Sequence, residues 1–254
     1  MSKNHTQQRW IAERYASNAG FVPRLGEPLI SLLEPMAGER ILDLGCGDGA
    51  LTHKLLRFNV EVLGVDSSTE QISAARAKGL NAIVRDGHCL GFDNEFDAIL
   101  SNAALHWMSR DPDAVIRCMF NALRPGGRLV AEMGGKGNID RILAALRITL
   151  DKFGVDWREY YPWYFPDPKE YSERLARIGF VVTKIELFPR PTKLPGDISN
   201  WLETFAEPFL CSVAETLRAD LLNAIKRELR PFLFKGDSWI IDYTRLRFIA
   251  KKPC

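Results

Sequence analysis

The sequence predicts an α/β fold, a mostly parallel sheet with helices on both faces. Two observations predict it. Between residues 40 and 133 short apolar runs alternate with amphipathic stretches, and strands that alternate with helices pair in parallel through crossovers. The turn Arg124-Pro125-Gly126-Gly127 punctuates that rhythm, since proline cannot continue a helix and glycine tolerates positive φ.

The elements follow in order. Gln7 to Asn18 and Glu27 to Leu33 read as two leading helices. Strands are expected over Arg40 to Leu44, Glu61 to Asp66, Asn81 to Asp86, Phe96 to Ser101 and Arg128 to Met133. Helices between them run over Ala50 to Phe58, Ser68 to Lys78 and Asp113 to Leu123, where apolar residues recur every three or four positions. Beyond Gly135 come a helix from Asn138 to Phe153, an irregular aromatic stretch from Trp157 to Phe165, and a helix from Lys169 to Ile178. A strand over Phe180 to Phe188, a helical block over Ile198 to Arg230 broken near Pro208, and a last strand over Ile240 to Ala250 complete the chain. The helical block between the last two strands reads as a lid.

With 254 residues and 46% hydrophobic content, the chain can bury one large core with an added cap without disulfides or metals. Its 34 basic and 32 acidic residues are interspersed, for a net charge of +2, whereas a nucleic-acid binder concentrates basic charge on one face. The five cysteines form no CxxC pair, so no metal is expected and reduced thiols in a cytoplasm fit best. MSKNHTQQRW lacks the apolar core of a signal peptide, and no apolar run approaches the ~20 residues of a membrane span.

The first strand runs into Asp43-Leu44-Gly45-Cys46-Gly47-Asp48-Gly49-Ala50. Glycines at 45 and 47 let the backbone turn sharply and approach a ligand that a Cβ would strike. Gly45, Gly47 and Ala50 also satisfy the looser dinucleotide pattern, so the loop alone admits NAD(P) as well. Asp66 ends the second strand about twenty residues on, where a carboxylate accepts hydrogen bonds from ribose hydroxyls. Asp86 ends the third strand and, with Gly87 after it, offers an acceptor and a backbone donor to an adenine edge; Asn102 and Ala103 follow the fourth. Ligands of open α/β sheets bind at this carboxyl edge.

These motifs, with VDSS at 65–68, RDG at 85–87, SNAALHW at 101–107 and LRPGG at 123–127, resemble the class I S-adenosylmethionine (SAM)-dependent methyltransferases of the type 11/25 kind. Within that family the likeness is to the subgroup of trans-aconitate and malonyl-carrier-protein methyltransferases, through Trp10, Tyr15, Ala104-Leu105-His106-Trp107, Trp201-Leu202-Glu203-Thr204 and Pro208-Phe209-Leu210.

The resemblance implies a Rossmann-like seven-stranded sheet with its last strand antiparallel, organised as one structural domain. Residues 1–36 would be helices covering the cofactor site, 37–135 the SAM-binding core, and 136–254 the completion of the sheet with a helical substrate cap over about 197–234. It implies that Asp43, Gly45, Cys46 and Gly47 form the loop beneath SAM, that Asp66 and Ser67 serve the ribose, that Asp86 and Gly87 hold adenine, and that Asn102 and Ala103 line the pocket near the sulfonium. The product would be S-adenosylhomocysteine.

A small anionic metabolite, a carboxylate among the choices, is the expected methyl acceptor, and a monomer or weak dimer the expected state. An ionised carboxylate, with a pKa near ~4, needs no general base. Three alternatives stay open: an RNA or DNA methyltransferase on the same fold, an NAD(P)-dependent oxidoreductase, and a SAM-binding protein without transfer activity. Against base methylation, Ser101-Asn102-Ala103-Ala104 stands where an Asn/Asp-Pro-Pro-aromatic run is used, and the Pro-Cys pair is Pro253-Cys254.

His106 is the catalytic candidate, because it follows the fourth strand at the active edge; a packed histidine is the ordinary alternative. His5, His53 and His88 have less claim. Tyr15 would either close over the cofactor or pack its own helix. The aromatics between Trp157 and Phe165 fit an acceptor pocket or plain core, and Arg218, Lys226, Arg227 and Arg230 fit an anion site or a solvated helix face.

Overall fold

The computed structural model describes residues 8–254, so His5 and Gln7 lie outside the described residues. The helices are α1 (Ala12–Ala19), α2 (Phe21–Leu33), α3 (Thr52–Leu55), α4 (Thr69–Ala77), α5 (Pro112–Ala122), α6 (Asp140–Lys152), α7 (Pro168–Ile178), α8 (Ile198–Phe205), α9 (Glu207–Leu210) and α10 (Arg218–Leu233). The strands are β1 (Arg40–Leu44), β2 (Glu61–Asp66), β3 (Ala82–Val84), β4 (Phe96–Asn102), β5 (Leu123–Gly134), β6 (Val181–Lys193), β7 (Phe234–Lys235) and β8 (Ser238–Lys251).

Contacts divide the chain into two compact units. Residues 20–136, 163–188 and 245–254 form the sheet unit. Its strand order is β3-β2-β1-β4-β5-β8-β6. β1, β2, β3, β4 and β5 pair in parallel, and β8 runs antiparallel to β5 with Gly134 opposite Arg245. This is the Rossmann-like arrangement. One face buries Leu42, Ile99, Leu129 and Phe248 with Met119 of α5 and Leu175 of α7. The other buries Ile41, Leu100 and Val130 under Leu29, Ile30 and Leu33 of α2. With both faces covered, the central strands read as apolar runs rather than alternations.

Residues 8–19, 137–162 and 189–244 form the other unit, so α1 groups with the late helices while α2 groups with the sheet. Here α6 packs on α10 and α1 on α8. Trp201 Nε1 donates to the Tyr243 hydroxyl at 2.5 Å. Two of the basic residues singled out in sequence are used locally: Lys226 pairs with Asp197 at 2.6 Å and Arg230 stacks over Phe234. β7 and the start of β8 add a short hairpin that the sequence does not announce.

Several expected boundaries move, each for a physical reason. α2 begins at Phe21, six residues before the expected start, because Pro23 falls in the first turn, where a missing N–H costs nothing. The expected helix from Ala50 to Phe58 is one turn of α3 and a 3-10 turn, closed by Asn59 in the left-handed region. β3 stops at Val84, so Asp86 lies in the loop beyond it. Arg124-Pro125-Gly126-Gly127 is not a turn before β5 but a bulged part of it: Gly126 has φ +80° and donates its N–H to Lys252 O. β6 runs on through Pro189 and Pro191, which an edge strand tolerates. Among the described residues no helix is long and apolar enough to cross a membrane.

Candidate functional site

The glycine loop leaves β1 at Leu44 and folds back onto β2, where Gly45 and Cys46 both donate their N–H to Val65 O. Gly45 has φ +76°, and a Cβ there would sit 2.1 Å from Ala104 Cβ. Side chains are therefore excluded twice, by backbone conformation and by the segment after β4. Gly47 donates its N–H to Asp66 Oδ2 at 3.0 Å, which ties the loop to the end of β2. The other carboxylate oxygen of Asp66 accepts Ser68 N–H at 2.9 Å. Burial raises the Asp66 pKa, with these backbone donors opposing it.

Asp43 is buried under the loop, where Oδ2 accepts the Thr52 hydroxyl at 2.6 Å. Burial and the charge of Asp66 lift its pKa to about 6. Cys46 is buried too; burial and three neighbouring aspartates push its thiol up, which leaves it inert. Ser67 is exposed, whereas Ser68 caps α4 by accepting Gln71 N–H at 3.2 Å.

Asp86 sits in a network that the sequence did not signal. Oδ1 accepts the His88 backbone N–H and lies 2.6 Å from His88 Nδ1, while Oδ2 accepts from Arg110 at 2.9 Å. Burial alone would raise its pKa, but these bonds hold it at about 2. Gly87 is required by Met108, whose sulfur would lie 2.6 Å from a Cβ; Leu44 would lie 3.7 Å away. The ends of β1 and β3 and the segment after β4 thus meet.

Asn102 ends β4 and turns its amide toward α2, donating to Val22 O at 3.3 Å. Gly26 of α2 was missed in sequence; a Cβ there would come 2.5 Å from Asn102 Nδ2. Ala103 has φ +55° and donates its N–H to Glu132 O at 2.7 Å. A non-glycine residue in the left-handed region is the kind of strain that concentrates at functional edges.

His106 stands on the 3-10 turn Leu105–Trp107, fully packed, with its ring 5.5 Å from Trp107 and 5.7 Å from Phe165. Its Nδ1 accepts Gly134 N–H at 3.2 Å. Burial, and then the charge of Arg245, lower its pKa well below 6.5. Arg245, also unannounced by sequence, is only 6% exposed. Tyr15 belongs to the other unit, where it packs edge-on against Trp10 and Phe205.

So the loop, Asp66, Gly87, Asn102 and His106 share one edge of the sheet, the carboxyl ends of β1 to β5. Residues 42–131 match the model of a methyltransferase domain family. An uncharacterized methyltransferase of Schizosaccharomyces pombe is 36% identical over 257 residues, covering 96% of this chain and 98% of that protein. The chain belongs to the class I SAM-dependent methyltransferases. Trans-aconitate 2-methyltransferase of Deinococcus radiodurans is 29% identical over 229 residues, 84% of this chain and 87% of its own length. Phosphoethanolamine N-methyltransferase 2 of Haemonchus contortus, solved with S-adenosyl-L-methionine, shares the fold at a TM-score of 0.60 and 20% identity, over 96% of this chain and 57% of that one. The YcgJ protein of Bacillus subtilis does so at 0.58 and 17%, over 92% and 99%.

The residues of this methyltransferase fit the family's cofactor. A carboxylate ends β2, a Cβ at Gly47 would meet no atom closer than Gln71 Oε1 at 4.0 Å, and that buried oxygen has no hydrogen-bond partner among the described residues. Among the described residues no three His, Cys, Asp or Glu side chains are grouped to hold a metal ion.

Proposed function

We propose that this methyltransferase acts on a carboxylate oxygen of a small organic acid, with SAM bound along the glycine loop and S-adenosylhomocysteine as product. SAM supplies a methyl group on a sulfonium, which transfers by in-line displacement. The protein's task is then alignment and exclusion of water, and orientation of this kind supplies ~7 to 11 kcal/mol.

In this reading Gly45, Cys46 and Gly47 present backbone to the cofactor, Asp66 accepts from the ribose, and Asp86 with Gly87 faces adenine. Asp43 acts through Thr52 as an anchor of the loop rather than by contact. Asn102 acts partly through α2, and Ala103 offers its strained backbone to the pocket.

The observation that supports the acceptor class is that the buried, uncharged His106 ring feels the charge of the buried Arg245, which lies opposite Gly134 in the sheet. Because Nδ1 accepts from Gly134, the neutral ring holds its proton on Nε2 and acts as a donor. A neutral donor beside a buried guanidinium suits an anion, and Arg recognises carboxylates by a planar fork of N–H groups. The likeness to the trans-aconitate 2-methyltransferase of D. radiodurans supports the same class. An ionised carboxylate attacks unaided, which agrees with a histidine held uncharged.

Labelled SAM with a panel of metabolites tests this. Turnover confined to carboxylic acids is expected; turnover of an amine, a sterol or tRNA with none for carboxylic acids would overturn it. Thermal shifts with S-adenosylhomocysteine but not NADH are expected as well.

A further inference from the structure

Gln71 lies at the third position of α4, after Ser68 as N-cap. In a Ser-x-x-Gln start the serine side chain accepts the N–H of the glutamine, and the glutamine side chain reaches back to the N–H of the serine. Only half of that reciprocal arrangement exists here. Ser68 Oγ accepts Gln71 N–H, but Ser68 N–H is taken by Asp66 Oδ1 at 2.9 Å. Gln71 is left 2% exposed, its Oε1 buried without a hydrogen-bond partner among the described residues. That oxygen lies 4.0 Å from where a Cβ of Gly47 would stand, on the residue whose N–H holds Asp66.

A buried acceptor with no donor destabilises the fold, because its desolvation goes uncompensated. A protein that keeps one beside its ligand loop gains when the ligand brings the donor. We infer that Gln71 is a cofactor-binding residue, its Oε1 accepting a hydrogen bond from a ribose hydroxyl next to Asp66. The inference rests on the reading that this edge binds SAM. Asp66 thereby has two duties: it serves the ribose itself, and by taking the Ser68 N–H it frees Gln71 to do the same.

This division makes opposite-sign demands on one substitution. Gln71→Met keeps the length and bulk of the side chain and removes the orphan acceptor. The cofactor-free variant should melt about 2–4 °C higher than the parent, while its Kd for S-adenosylhomocysteine rises about tenfold, the loss of one neutral hydrogen bond. The Kd of the 2′,3′-dideoxyribose analogue should be the same for both proteins. Gln71→Leu is a second variant in case the first fails to fold, with the same expected signs. A purely structural glutamine, or one satisfied by trapped water, would instead give a lower melting temperature with unchanged Kd, and this outcome overturns the inference. If the parent protein binds no S-adenosylhomocysteine at all, the reading of the edge as a SAM site fails; if the parent binds and the variants bind equally, only the assignment of Gln71 fails.

Discussion

The N–H of Gly134, at the end of β5, donates to Nδ1 of His106 at 3.2 Å. That bond fixes the tautomer, and burial keeps the ring uncharged. His106 is therefore predicted to be a donor and not a base. Its folded pKa lies well below 6.5, so kcat should show no His106 inflection between pH 6 and 8. His106→Gln, which keeps a donor, should retain far more activity than His106→Ala, whose kcat/KM should fall about 10- to 100-fold. A pH profile with an acid limb near neutrality that disappears in His106→Gln would refute the assignment.

Arg245 should govern the acceptor and not the cofactor. Arg245→Gln is expected to raise KM for a carboxylate acceptor by about 10- to 100-fold, the worth of a charge-assisted bidentate contact, with Kd for S-adenosylhomocysteine changed less than twofold. Steady-state kinetics and calorimetry on the same variant separate the two quantities.

Removing the Asp66 carboxylate should weaken the cofactor. Asp66→Ala also leaves Gly47 N–H and Ser68 N–H without their acceptor, so a loss of about 1.5–3 kcal/mol in binding is expected. Calorimetric titration of a folded variant checks this, and unchanged affinity would remove Asp66 from the site.

Asp43 gives the protein a pH-dependent stability of defined sign. Its folded pKa of about 6 lies above the unfolded value of 3.8, so the folded state holds the proton more tightly. The contribution is fully present below pH 3.8 and is lost as pH rises through about 6, an effect on the order of 3 kcal/mol. Asp43→Asn should therefore gain stability relative to the parent at pH 7.5 and not at pH 4, as denaturant midpoints at the two pH values will show. Asp86 works in the opposite sense: with a folded pKa of about 2, its contribution is present above pH 3.8 and is lost on acidification toward pH 2.

Gly26 and Asn102 should couple. A Cβ at 26 would come 2.5 Å from Asn102 Nδ2, and Gly26→Ala is expected to cost about 1–3 kcal/mol by overpacking. Adding Asn102→Ala removes the obstruction, so the double variant should be more stable than the sum of the singles predicts. Strict additivity would mean that α2 accommodates the methyl by itself.

Much of the sheet was legible in sequence because its signals are local. β1 and β2 coincide with the expected apolar runs, and the glycine loop announces itself by residue type. The positions of the candidate residues along the chain are legible in sequence, but their partners are not. Arg110, which bonds Asp86, lies 24 residues away. Gly26, between Pro23 and Pro28, has the composition of a loop, yet it lies within α2, and its missing side chain leaves the space that Asn102 of a distant strand occupies. Ser67 and Ser68 both lend backbone N–H groups to Asp66, but only the Ser68 hydroxyl caps α4, a division that depends on where α4 starts.

The sequence by itself determined the alternation of strands and helices, the glycine loop and the acidic positions that follow it, because periodicity and spacing act over a few residues. Tertiary structure alone decided which polar groups ended without partners, which tautomer His106 holds, and that Arg245 is buried beside it. Those properties depend on desolvation and on donors brought from remote strands, and neither quantity exists until the sheet has closed over its core.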